Sequence, residues 1–86
     1  MSKYNIIAYL QPFILEQKIE VYKDGECMNI IKCTFSEMEN MILELVEKYN
    51  IKDITLAGSA QIYSYKLKSD LMSKYNQKDI NINVLE

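Results

Sequence analysis

Three patterns of apolar and polar residues run along this chain, and each predicts its own kind of element. Residues 4–10 are apolar on both sides, which is typical of a central strand covered on two faces. Strict alternation follows in residues 13–22 and 27–35, on either side of Asp24-Gly25, a dipeptide typical of a two-residue hairpin turn. The chain is therefore expected to begin with three antiparallel strands. In the second of them, Leu15, Ile19 and Val21 are expected to share one face.

A helix is predicted after the third strand. Ser36 and Glu39 carry the signature of a capping box, in which the side chain of each residue bonds the backbone amide of the other. Asn50 is a typical left-handed stop. Between them, apolar residues at helical spacing form one buried stripe: Met38, Met41, Ile42, Leu45, Val46 and Tyr49.

The last third of the chain predicts a strand, a helix and a strand. Residues 51–57 form a short apolar strand, Gly58 breaks it, and Ser59 is a suitable N-cap for a helix that runs to about residue 75. Residues 76–79 form a turn, and alternation over residues 80–84 predicts a last strand. One face of the helix is expected to pack on the sheet: Ala60, Tyr63, Leu67, Leu71 and Tyr75.

The resulting order is β-β-β-α-β-α-β in a single domain of residues 1–86. Right-handed crossovers place the fourth strand beside the first and give a five-stranded mixed sheet in the order 3-2-1-4-5, with two helices packed on it. This is an α/β fold on the border of α+β.

That topology, over nearly the whole chain, resembles the first half of the ribonuclease H-like (actin-like) fold. Enzymes of this family carry an Asp in the first strand and further carboxylates near the fourth, which together hold two magnesium ions. Here residues 5–10 read Asn-Ile-Ile-Ala-Tyr-Leu, and the fourth strand ends Thr55-Leu56-Ala57-Gly58. The resemblance therefore implies the fold without the family's metal site or nuclease activity.

Composition narrows the chemistry. The 86 residues include ten Lys but no Arg, His or Trp, and the net charge is −2. Without His, the usual proton shuttle near neutral pH is missing. Without Arg, there is no guanidinium group to bind a phosphate or a guanine through two parallel hydrogen bonds. We therefore expect no enzyme, no metal and no cofactor. The abundance of Lys, Asn and Ile suggests an AT-rich genome, such as that of a bacterium or its phage.

Cys27 and Cys33 are six residues apart on one predicted strand, so they are expected to share a face, too far apart for a disulfide. Two cysteines do not make a four-ligand zinc site, and reduced core thiols are typical of the cytosol. No export signal and no run of about 20 apolar residues is seen, so a cytoplasmic protein without a membrane partner is expected.

Two sets of residues are candidate sites. Gly58, Ser59 and Ala60 form a strand-to-helix turn whose free amides suit an anion, although a tight turn with an N-cap explains the same residues. Ile62, Tyr65 and Met72 form a second apolar side of the last helix, and Ile7 and Tyr9 lie on the sheet face that two helices on one side would leave uncovered.

These features favour a small, non-enzymatic protein-interaction module that forms a homodimer or binds another protein. Its expected contacts are the uncovered sheet face, the edge strand of residues 27–35 and the outer side of the last helix. One alternative is a nucleic-acid-associated accessory protein, in which five tyrosines stack on bases beside the lysines of the C-terminal third. The other is an anion or nucleotide binder at the Gly58-Ser59 turn. The residues of the first alternative are Tyr4, Tyr9, Tyr22, Tyr63, Tyr65, Lys66, Lys68, Lys74 and Lys78.

Overall fold

The strands and helices follow the predicted order in a computed structural model, which describes residues 3–13, 15–75 and 79–85. One mixed sheet has the strand order β3-β2-β1-β4-β5. β1 pairs antiparallel with β2 and parallel with β4, and β5 adds a parallel strand beside β4. The predicted fold class is confirmed. The elements are β1 Tyr4–Tyr9, β2 Gln17–Lys23, β3 Glu26–Cys33, α1 Phe35–Tyr49, β4 Asp53–Ala57, α2 Gln61–Lys74 and β5 Asn81–Val84.

Both helices lie on the same face of the sheet. The crossovers β3-α1-β4 and β4-α2-β5 advance in the same direction across the sheet, so right-handed connections place both helices on one side. Buried side chains from both helices form a single core with this sheet face. Its fully buried members include Ile6, Ala8, Ile19, Ile42, Ile54, Leu56 and Leu71.

The central strand β1 is covered on one face, and the prediction that it is covered on two is wrong. Ile6 and Ala8 are fully buried beneath the helices, whereas Ile7 and Tyr9 on the other face are half-buried. An apolar sequence on both sides of a strand shows that neither face is strongly charged. It does not show that the chain has a second layer to cover both.

The helix α1 begins two residues earlier than predicted. Thr34 is its N-cap, and the Thr34 amide donates to the Glu37 carboxylate at 2.9 Å. The sequence Thr34-x-x-Glu37 has the same signature as Ser36-x-x-Glu39, and the earlier pair is used because Phe35 already occupies the first helical position. The predicted stop is confirmed, since Asn50 is left-handed with φ of 53°.

The helix α2 also departs from its prediction. Its N-cap is Ala60, and the Ser59 hydroxyl instead donates to the Gln11 side chain at 2.8 Å. Tyr63, predicted on the buried face, is 55% exposed because its ring packs on Phe35 at the surface, 5.1 Å between centroids. The small side chain of Ser64 is buried against the sheet in its place.

The strand β3 contains a bulge that changes the side on which its residues point. Val21 pairs with Asn29, but the next residue of β2, Tyr22, pairs with Cys27, which leaves Met28 as an extra residue. Cys27 is therefore exposed and Cys33 buried, so the prediction that they share a face is wrong. The strand also ends at Cys33, because Thr34 and Phe35 begin α1.

The strand β2 is shorter than predicted. Residues 12 and 13 form a turn in which Phe13 is left-handed (φ of 64°), and both Phe13 and Leu15 are exposed. The prediction that Leu15 lies on the buried face is wrong, because β2 begins only at Gln17. Residues 76–78 of the turn predicted at 76–79 lie outside the described residues. The Asp24-Gly25 hairpin turn is confirmed by positive φ at both positions.

Candidate interaction surfaces

The sheet face that neither described helix covers is called here the open face. The strand registers place alternate residues of all five strands on it. It has a mixed character, because apolar and aromatic residues of β1, β2 and β3 are interspersed with charged and amide residues, including Lys18 and Glu20 near its middle. Its members are Cys27, Ile30 and Lys32 from β3, Lys18, Glu20 and Tyr22 from β2, Asn5, Ile7 and Tyr9 from β1, Asp53, Thr55 and Ala57 from β4, and Asn81 and Asn83 from β5.

A cluster of four side chains organises the middle of the open face. The Tyr22 hydroxyl donates to Glu20 at 2.9 Å, the Lys18 ammonium lies 3.6 Å from the same carboxylate, and the Lys18 ammonium also lies 4.7 Å from the centre of the Tyr9 ring. These groups hold one another in place, since each polar tip contacts another member. The cluster therefore presents two aromatic rings in fixed positions.

The hydrogen bonds of this cluster shift its titrations. Hydrogen bonds from Tyr22 and Tyr9, together with the nearby Lys18 charge, lower the pKa of Glu20. The hydrogen bond between Tyr22 and Glu20 raises the pKa of Tyr22 to about 12. The hydrogen bond between Tyr9 and Glu20 raises the pKa of Tyr9. Glu20 is thus ionised and both phenols are protonated across the neutral range, so the cluster offers no general base near neutral pH.

Ile7 and Tyr9 lie on the open face, where the sequence placed them. They do not stand alone, because Ile30 of β3 is 50% exposed on the same face and Met28 at the bulge is also exposed. Ile7, Glu20 and Ile30 are consecutive cross-strand neighbours. The apolar residues of the open face therefore lie on both β1 and the outer strand β3, with the Glu20 carboxylate of β2 between them.

Ile62, Tyr65 and Met72 lie on the outer side of α2, and Ile62 is 83% exposed. This side faces away from the sheet, so it lies on the opposite side of the molecule from Ile7 and Tyr9. The structure separates the predicted interface into two surfaces. A single partner of similar size contacts one of them at a time.

The Gly58-Ser59-Ala60 turn is held by contacts within the chain. A side chain at residue 58 would lie within 2.8 Å of the Leu10 amide nitrogen, so the strand β1 fills the space beside the glycine. The Ala60 amide donates to the Leu10 carbonyl at 3.0 Å, and the Ser59 hydroxyl is bonded to Gln11. Two donors that an anion would use are therefore already engaged.

The sequence pointed to the edge strand of residues 27–35 as a contact without singling out Met28 and Ile30, and it missed the Glu20 cluster. The alternation of Lys18, Glu20 and Tyr22 opposite Ile19 and Val21 was a usable signal, because it placed those side chains on the solvent side of β2. The signal for Ile30 was hidden by the bulge, which reverses the alternation inside β3.

In comparisons with known proteins, the chain matches no family model, no curated protein and no solved structure. The resemblance to the ribonuclease H-like fold thus stays a prediction based on strand order. Within the described part of the chain, no group of three or more Cys, Asp or Glu side chains is placed to hold a metal ion. Neither described helix has the length and apolar character that crossing a membrane requires.

Proposed function

We propose that this protein is a small, non-enzymatic interaction module of bacterial or phage origin that self-associates through its open face and the adjoining strand β3. The observation that carries this proposal is the placement of both helices on one side of the sheet. Ile7, Tyr9 and Ile30 are left without a covering layer, although they belong to the same sheet as the core. Apolar area of this kind is typical of a surface that a partner covers.

The composition of the open face supports the same proposal. Tyrosine is enriched at the centres of protein interfaces, and Tyr9 and Tyr22 are already fixed by Lys18 and Glu20. A partner therefore meets side chains whose rotamers are set before binding, which lowers the entropy cost of association.

Light scattering coupled to size-exclusion chromatography tests the proposal and distinguishes the two surfaces. We expect the protein to be a dimer at high micromolar concentration, Ile30→Ser to be a monomer, and Ile62→Ser, the matched control on α2, to remain a dimer. A wild-type protein that stays monomeric throughout contradicts self-association. A monomeric Ile62→Ser beside a dimeric Ile30→Ser would move the interface to α2.

A second candidate function is binding of single-stranded nucleic acid on the open face. It is favoured by one observation, the position of Tyr9 and Tyr22 beside Lys18 and Lys32, because aromatic rings flanked by cations stack on bases. The carboxylate of Glu20 between the two rings opposes it. Titration of a fluorescent oligonucleotide at low salt tests it: binding that Tyr9→Ala abolishes supports this function, and no binding excludes it.

A further inference from the structure

The hydrogen bonds of β3 show which of its backbone groups point out of the sheet. The Ile30 amide donates to the side chain of its neighbour Asn29 at 2.9 Å, and the Thr34 amide donates to Glu37, so neither is bonded to β2. In an antiparallel pair, residues that face the partner alternate with residues that face away. Lys32, midway between these two, therefore also directs its amide and carbonyl outward.

This outer edge of β3 is long and weakly protected. The strand has eight residues, and no other strand in the described ranges pairs with its outer side. Natural edges are usually short or bulged, or carry several charges or a proline. The bulge at Met28 protects the start of β3, whereas the residues after it read Asn-Ile-Ile with one charge, Lys32. The opposite edge, β5, has four residues and exposes two asparagines.

We propose that β3 pairs antiparallel with β3 of a second copy across a two-fold axis at Ile31, joining the two sheets into one of ten strands. This inference rests on the proposed self-association and assigns its contact to the edge of β3. Ile30 is covered by the second copy, whereas Ile7 and Tyr9 on β1 stay uncovered on the open face of the joined sheet. In this register Ile30 of each copy faces Lys32 of the other. Ile30 and Lys32 of each strand then both bond to the second copy. Each Ile30 exchanges two backbone hydrogen bonds with the Lys32 opposite it.

The charges of the open face favour a second copy as the occupant. Within one chain Lys18 and Lys32 are cross-strand neighbours. The Lys18 ammonium lies 3.6 Å from Glu20, and the Lys32 ammonium lies 3.7 Å from the exposed Glu16 carboxylate. In the paired sheet, Lys32 of one copy lies beside Ile30 of the other, and the next residue across is Glu20 of that copy. The lysine then approaches an ionised carboxylate, and its aliphatic stem covers the exposed Ile30.

The pairing also assigns a role to Asn29. In the single copy the Asn29 side chain accepts the hydrogen bond from the Ile30 amide. In the pair, the Lys32 carbonyl of the second copy accepts that hydrogen bond instead. Asn29 thus competes with self-association and limits it to high concentration. Removing this competitor with Asn29→Ala is expected to lower the dimer dissociation constant several-fold in sedimentation equilibrium.

Substitutions at Lys32 test the edge contact. Lys32→Pro removes an amide that points away from β2, so the strand keeps its bonds within the sheet, and edge positions of this kind tolerate proline. Lys32→Thr is the matched control, since it loses the charge but keeps the amide. We expect Lys32→Pro to abolish the dimer and Lys32→Thr to weaken it, with both variants showing the circular dichroism of the folded protein.

Cross-linking tests the register independently of stability. At the two-fold axis the two Ile31 Cα atoms form a non-hydrogen-bonded pair about 4.5 Å apart, within the range of a disulfide. In a background of Cys27→Ser and Cys33→Ala, Ile31→Cys is expected to form a disulfide-linked dimer on oxidation. Ile30→Cys, offset by two residues from its copy, is the control that does not.

The outcomes separate this inference from the function on which it rests. A monomeric wild-type protein overturns both. A wild-type dimer that Lys32→Pro and Lys32→Thr affect equally, or in which Ile30→Cys cross-links as well as Ile31→Cys, overturns the β3 pairing and leaves self-association through the open face standing.

Discussion

Gly25 and Gly58 both adopt positive φ, 86° and 99°, but their surroundings differ. Gly25 lies in the hairpin turn with no atom near the place where a Cβ would be, whereas Gly58 lies against the backbone of Leu10. The local sequence identifies both as chain reversals. It does not reveal the second constraint at Gly58, since the contacting strand is nearly fifty residues away in the chain.

Alanine substitutions separate the two effects. Gly25→Ala is expected to cost about 1 kcal/mol of unfolding free energy, the strain of a left-handed residue. Gly58→Ala is expected to cost at least twice as much, because the same strain is joined by displacement of the β1 backbone. Urea denaturation of the two variants measures the difference, and equal losses would show that the contact with Leu10 is not retained in solution.

The elements were predicted in the right order, and the errors are concentrated at their boundaries. Two overlapping capping signatures, at Thr34 and at Ser36, precede α1, and periodicity alone does not choose between them. In α2 the buried face includes Ser64 rather than Tyr63, because packing on Phe35 draws the tyrosine to the surface. Such choices depend on neighbours from other elements and are not written in the local pattern.

The start of α1 is testable by paired substitutions. Thr34→Ala is expected to destabilise the protein by about 1 kcal/mol, the usual effect of removing an N-cap side chain. Ser36→Ala, inside the first turn, is expected to change stability by less than about 0.5 kcal/mol. Thermal unfolding of both variants decides, and the reverse ranking would restore Ser36 as the cap.

At the scale of the whole molecule, strand order and handedness were predictable because right-handed crossovers leave few alternatives. The same rule, applied to two crossovers that advance in one direction, places both helices on one side. The open face follows from that topology. Its detailed chemistry follows only in part. Lys18, Glu20 and Tyr22 are alternate residues of one strand, but their contacts with Tyr9 depend on the register between β1 and β2, which the sequence does not specify.

The stability of the whole molecule is expected to fall in acid. The pKa values of Glu20 and Glu37 are lowered, by hydrogen bonds from Tyr22 and Tyr9 and from Thr34 respectively. A carboxyl group with a lowered pKa stabilises the folded state at pH values above its ordinary pKa of 4.5. This stabilisation is lost as the pH falls through the pKa that the group has in the folded protein. The double variant Glu20→Gln with Glu37→Gln should flatten unfolding free energy against pH below that value, and an unchanged slope would contradict these pKa shifts.

The bulge at Met28 has a practical consequence for spectroscopy. It turns one thiol to solvent and leaves the other inside, where burial also raises the pKa of Cys33. A maleimide dye or a spin label will thus attach at Cys27 in the native chain, without any mutagenesis. The label then lies on the edge strand of the sheet, while the buried Cys33 stays unmodified.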